Sequence, residues 1–195
     1  DVTMIVMGSR GMGGLSGMVM GSVSASVVSH ASCPVVVVRE DNHVTDSTKY
    51  GPVVVGVDGS EVSQKATAYA FREAQARGAA LIAVHTWMDM QVQASLAGLS
   101  AAQSEWADIE KEQSELLTEN LKEPREEYPE VEVKKLITRD RPVSALTEAA
   151  EGAQLLVVGS HGRGGFKGML LGSTSRALLQ SAPCPMMVVR PDEES

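Results

Sequence analysis

Two stretches of this chain hold the residues best suited to chemistry. In one, glycines and a serine fall as Gly159-x2-Gly162-x9-Gly172-Ser173; in the other they fall as Gly8-x2-Gly11-x9-Gly21-Ser22. Each follows an apolar run and leads into a helix-like run. Glycine costs roughly 0.5–1 kcal/mol wherever regular structure would have served, so such a concentration signals close approach to the main chain. Backbone N–H groups at a glycine turn, backed by the positive end of a helix dipole, suit an anion, and phosphate is the natural guest. The Gly-Ser pair at the helix start adds a hydroxyl donor.

Other phosphate and catalytic patterns fail on spacing. GxGxxG is missed because Gly162-x-Gly164 is followed three residues on by Lys167, and Gly11-x-Gly13 by Ser16. No Gly-Lys-Ser/Thr P-loop occurs, and Ser160-His161 does not meet the G-x-S-x-G frame of a nucleophile elbow. His161 lies inside the loop, but Arg10 fills the matching place in the other stretch, which reads as a polar or basic lining rather than an acid–base catalyst. Arg163 and Lys167 read equally as phosphate neutralisers or solvated surface. Met12, Met18 and Met20 read as packing, and His85, after an apolar run, as a structural histidine.

Met4–Asp41 aligns with Leu155–Asp192 at one offset without gaps, and nearly half of the paired residues are identical. That marks a duplicated unit. Cys33 and Cys184 occupy equivalent Ala-x-Cys-Pro settings and read as small buried hydrophobes. The polar, aperiodic 41–50 reads as a linker, 51–191 as a complete domain, 192–195 as a tail, and 1–40 as the last strand–loop–helix–strand part of a first domain.

In the complete unit, Pro52–Asp58 and Ala80–Trp87 are β-branched or apolar runs of the kind buried strands need. An alanine-rich helix spans Ser60–Arg77 and stops at Gly78. Trp106, Ile109, Gln113, Leu116, Leu117 and Leu121 share one face of a helix over Ser100–Lys122, which Pro124 is expected to end. Strands at Val131–Ile137, Leu155–Gly159 and Met186–Arg190 alternate with helices at Val143–Glu151 and Ser173–Gln180. The alternation predicts an α/β fold with a parallel sheet covered on both faces.

The composition, 43% hydrophobic and 22% charged over 195 residues, is that of a globular protein. A net charge of -8 repels phosphate backbones and anionic lipid, so neither nucleic acid nor a membrane is an expected partner. With no signal-like opening and no long apolar run, the expected compartment is the cytoplasm.

The two glycine stretches, the "GVDGS" end of the first strand (Gly56–Ser60) and the Ala-Pro-Cys-Pro approach to the last one (Ala182–Pro185) resemble the universal stress protein family, in its tandem actinobacterial form. The resemblance covers nearly all of 51–191 as a complete domain and 1–39 as a partial one. It implies an open five-stranded parallel sheet in order 3-2-1-4-5 with helices on both faces, plus the partial copy. It also implies ATP, with or without Mg, as ligand. Asp58 is then expected at the ribose or adenine and the Val84 backbone at adenine. Gly159 and Gly162 line the phosphates, and Gly172, Ser173 and Thr174 meet phosphate and ribose. Gly8, Gly11, Gly21 and Ser22 form a partial second site.

In that strand order the topology reverses between the strands ending at Asp58 and Gly159, which opens a crevice there. Asp58 alone serves equally as a turn former or a ligand contact. The function implied is a nucleotide-dependent regulator of stress response that is not an enzyme. The alternatives are a weak ATP hydrolase and an assembly module without nucleotide. Last-strand pairing, within the chain or in a homodimer, is expected to hide the apolar edges Val35–Val38 and Met186–Val189.

Overall fold

The computed structural model describes residues 2–9, 20–42, 50–87, 103–164 and 170–191, with backbone only for 103–107. Seven strands form one sheet: β1 (Ile5–Gly8), β2 (Val35–Val38), β3 (Val53–Gly56), β4 (Leu81–Thr86), β5 (Val133–Thr138), β6 (Leu155–Gly159) and β7 (Met186–Val189). Their order is β1-β2-β7-β6-β3-β4-β5. Among the described residues five helices accompany them: α1 (Ser22–His30), α2 (Glu61–Arg77), α3 (Gln103–Glu127), α4 (Pro142–Ala149) and α5 (Ser173–Ser181).

The expected five-stranded parallel sheet plus a partial copy is thereby corrected to one seven-stranded mixed sheet, in which β5-β4-β3-β6-β7 keep the order 3-2-1-4-5 and β2 of the partial copy joins at β7. All contacts from β5 through to β7 are parallel, as is β1 with β2, but β2 meets β7 antiparallel. The register is Val35↔Val188, Val36↔Met187 and Val37↔Met186. The physical reason is the apolar edge each last strand would otherwise expose; each covers the other within the chain. These strands are therefore not free to build a homodimer.

Side chains alternate across the sheet as a period of two requires. Val53, Val55, Val57, Leu81 and Ala83 join Phe71 of α2 and Leu117 and Leu121 of α3 on one face. Val54, Val84, Leu156 and Val188 join Val28 of α1, Leu146 of α4 and Leu178 of α5 on the other. α2 starts on Ser60, whose side chain accepts from Ser63 N–H, and ends at Gly78 in the left-handed region (φ 59). Such a cap is worth about 1 kcal/mol.

Pro124 does not end α3. The helix runs on to Glu127 with the proline inside it, and the Tyr128 N–H still donates to the Pro124 carbonyl at 2.9 Å. Leu117 and Leu121, fully buried, hold the preceding turns against the sheet, so packing outweighs the one bond the imide removes. On the same face Gln113 is buried as expected, whereas the Trp106 side chain lies outside the described residues.

Cys184 is buried, and that burial pushes its thiol up to about 12, against a smaller opposing effect of a backbone hydrogen bond at Leu156. Burial disfavours the thiolate, which is the reactive form. Iodoacetamide at pH 8 will therefore leave Cys184 unmodified in the folded protein and reach it only after denaturation. A mass shift on the Cys184 peptide from folded protein contradicts this.

Candidate functional site

The C-terminal ends of β3 and β6 lie side by side, since these strands pair through Val53↔Leu155 to Val55↔Val157. Beyond them the chain turns at Asp58 and at Gly159. The sequence separation is large, yet the two turns touch: Asp58 Oδ2 accepts from the Arg163 N–H at 3.0 Å. Oδ1 accepts from the Ser60 N–H at 2.9 Å and the Ser60 hydroxyl at 2.7 Å. The carboxylate thus ties the start of α2 to the glycine loop. A Cβ at Gly162 would run into Asp58 Oδ2, so a side chain there would push the carboxylate from its place.

Gly159, Ser160 and Gly172 form the base of the loop. Ser160 N–H donates to the Val189 carbonyl at 2.7 Å, Gly172 N–H to the Ser160 carbonyl at 2.7 Å, and Ser175 Oγ to the Gly159 carbonyl at 2.7 Å. Gly172 is the N-cap of α5, with extended φ -70 and ψ 163 and no side-chain cap. Glycine is favoured here by proximity: a Cβ would lie 3.1 Å from His161 Cα. Ser173 is exposed and Thr174 half-buried on the first turn of α5, where a helix leaves its N–H groups without intrahelical partners. His161 Nδ1 lies 3.1 Å from Ser160 Oγ, and Arg163 is exposed at the rim.

The first stretch repeats this base. Ser9 N–H donates to the Val38 carbonyl at 2.8 Å, Gly21 N–H to the Ser9 carbonyl at 2.9 Å, and Ser24 Oγ to the Gly8 carbonyl at 3.0 Å. Ser22 begins α1 after Gly21. Gly11 lies outside the described residues. Among the described residues β1 pairs with β2 alone, so no strand brings Gly8 a counterpart of Asp58. Ser24 and Ser175 were missed in the sequence, though each is the second serine of a matched Gly-Ser-x-Ser.

Val84 requires a correction. It is buried inside β4, and its carbonyl accepts from the Val57 N–H at 2.8 Å, so that group is committed to the sheet. Residues on a parallel strand alternate sides with their backbone groups. Leu81 and Trp87 donate toward β5, so Thr86, like Val84, faces β3. But β3 has ended by then, and the Val57 carbonyl is taken by His85 Nδ1 at 2.6 Å. Thr86 N–H and C=O therefore point past the end of β3 into the crevice. Sequence reading missed Thr86 because its freedom depends on register.

Among the described residues, no group of three or more His, Cys, Asp or Glu is placed to hold a metal ion. None of their helices is long and apolar enough to cross a membrane.

The universal stress protein family profile matches residues 1–39 and 49–190. The chain belongs to the universal stress protein family. This universal stress protein is 46% identical over 190 residues to Rv2005c of Mycobacterium tuberculosis, covering 97% of this chain and 62% of that one. A Mycolicibacterium smegmatis universal stress protein is 45% identical over 188 residues, with 96% and 62% covered. The chain thus spans about three-fifths of the length of the curated relatives it matches. Among solved structures, a universal stress protein from Archaeoglobus fulgidus superposes with a TM-score of 0.62 at 26% identity, over 99% of this chain and 62% of that one. A universal stress protein in complex with cAMP gives 0.50 at 27%, over 72% and 96%.

Proposed function

We propose that this universal stress protein binds ATP in the crevice between β3 and β6 and acts in the cytoplasm as a nucleotide-dependent regulator of stress response. The observation that carries the reading is the meeting of Asp58 with a glycine loop and a helix N-terminus at the point where the strand order reverses. The cAMP complex of a 27% identical relative supports a nucleotide as the guest. Asp58 takes the ribose, the Thr86 backbone replaces Val84 in meeting adenine, and Gly159, Gly162, Gly172, Ser173 and Thr174 surround the phosphates.

The Asp58 carboxylate already accepts three hydrogen bonds. A ribose hydroxyl takes the remaining acceptor site, on Oδ2, and so shares that oxygen with the Arg163 N–H of the glycine loop. Occupancy is thereby coupled to loop position, which is what a regulator needs. Phosphoryl transfer needs positioned metal carboxylates, and Asp58 alone is at hand, so slow hydrolysis is a side activity in this reading. With ATP, Mg travels as the nucleotide's own counter-ion.

Residues 1–40 are the last part of a first domain and 51–191 a complete second one, joined by 41–50, with 192–195 as a tail. The matching hydrogen bonds at Ser9, Gly21 and Ser24 and at Ser160, Gly172 and Ser175 support it. One functional site per chain follows, because among the described residues no strand brings the Gly8 loop an acidic partner. Mass spectrometry of material released by denaturation will find ATP or ADP, and calorimetric titration of the stripped protein with ATP will saturate at about one equivalent. No released nucleotide together with no binding heat refutes the nucleotide reading; two equal sites refute the single-site reading.

A further inference from the structure

We infer that His85 is a positioning residue that terminates the β3–β4 ladder and so frees the Thr86 backbone to read a ligand. The inference deepens the proposed nucleotide site and rests on it for its ligand, though not for its geometry. In a parallel ladder the rung after Val57 N–H to the Val84 carbonyl is Thr86 N–H to the Val57 carbonyl. That rung is pre-empted. His85 Nδ1 lies 2.6 Å from the Val57 carbonyl oxygen, and its N–H donates there in place of Thr86. The ring is held in turn by its other nitrogen, since Nε2 meets the Gln113 carboxamide of α3 at 3.0 Å.

His85 and Gln113 are only 2% and 1% exposed, so neither bond is shared with bulk water. Alternation explains why this residue can do it. His85 follows Leu81 and Ala83 onto the face covered by α2 and α3, the side on which Val57 also packs. The bond ties the Val57 carbonyl, one residue before Asp58, to a ring that Gln113 of α3 holds. A single imidazole thus fixes the backbone immediately before the ribose acid and leaves an adjacent N–H and C=O open to the crevice.

Such a donor–acceptor pair matches the N1 acceptor and amino donor of adenine and opposes the N1–H and O6 of guanine. His85 therefore sets base selectivity without touching the base. Loss of the histidine alone leaves Gln113 buried without its partner, which is costly, whereas replacing both by apolar groups can be nearly neutral. The test accordingly uses His85→Leu combined with Gln113→Leu, and His85→Asn, whose carboxamide can still donate to the Val57 carbonyl.

Amide hydrogen exchange on ligand-free protein reads the geometry directly. The Thr86 amide should exchange freely in the parent and in His85→Asn, and slow by about tenfold or more in the double variant as the rung closes. In calorimetry, a parent preference for ATP over GTP of about tenfold or more should fall to about twofold or less in the double variant. It should be kept in His85→Asn, while tripolyphosphate binding stays unchanged in both.

A Thr86 amide already protected in the parent, or one unchanged in a folded double variant, overturns the inference. So does an unaltered ATP-to-GTP ratio. If exchange behaves as stated and the parent binds neither nucleotide, the ladder-ending role stands and the nucleotide reading fails.

Discussion

Gly172→Glu will abolish ATP binding, with affinity falling by about a hundredfold or more, or roughly 2.7 kcal/mol. Gly172 caps α5 and its N–H is spent on the Ser160 carbonyl. A Cβ there would sit 3.1 Å from His161 Cα and 3.4 Å from the Ser160 carbonyl oxygen, both backbone atoms, so the loop base must shift by a few tenths of an ångström. Beyond the bulk, the new carboxylate will lie over the N–H groups of the first turn, where the proposal seats a phosphate. It takes the helix dipole for itself and repels the guest; two like charges about 4 Å apart near a protein surface oppose each other by about 4 kcal/mol.

The repeat supplies an internal control for that substitution. Gly21 holds the matching place on α1, with its N–H on the Ser9 carbonyl, so Gly21→Glu carries the same charge and leaves ATP binding unchanged. Calorimetry on both variants, with circular dichroism melts to confirm folding, decides it. Parent-like ATP binding by a folded Gly172→Glu protein removes the loop from the site.

What the sequence made legible follows the range of the interaction involved. The β-branched runs Val53–Gly56 and Leu155–Gly159 announced buried strands, because burial on both faces leaves no polar position. The repeat of Gly8 and Gly21 in Gly159 and Gly172 announced the loop base. Asp58 with Ser60 was legible as a turn, being two residues apart. Its bond to the Arg163 N–H was not, because the partners are brought together across 105 residues by the pairing of β3 with β6. Val84 failed for a related reason. Which backbone groups are free at a strand end depends on where the neighbouring strand stops, and here on a histidine that caps its last carbonyl. Pro124 failed because a local rule was read alone, while the buried Leu117 and Leu121 carry α3 through.

The largest structural effect is expected from Val37→Pro. The Pro34 carbonyl accepts from Ile5 N–H and the Val38 carbonyl from Ser9 N–H, so the even-numbered residues of β2 face β1 and the odd ones face β7. Val37 opposite Met186 is therefore a bonded pair in the β2–β7 seam that joins the first segment to the larger part of the sheet. Proline removes that donor and sets its ring between the strands, a change worth about 3 kcal/mol by analogy with a helix interior, or about a hundredfold in the docked-to-open ratio. Limited proteolysis will then cut within residues 2–42 about a hundredfold faster than in the parent where opening precedes cleavage. ATP binding should hold within about twofold, because the Asp58–Arg163 contact and the base of α5 lie on β3, β6 and the end of β7, none of which loses a bond. The opened edge at Met186–Val189 is wholly apolar, and such an edge recruits another strand. Sedimentation of the variant should accordingly show concentration-dependent association that the parent lacks. An unchanged digestion pattern in a folded variant means that the seam does not hold the segment in place.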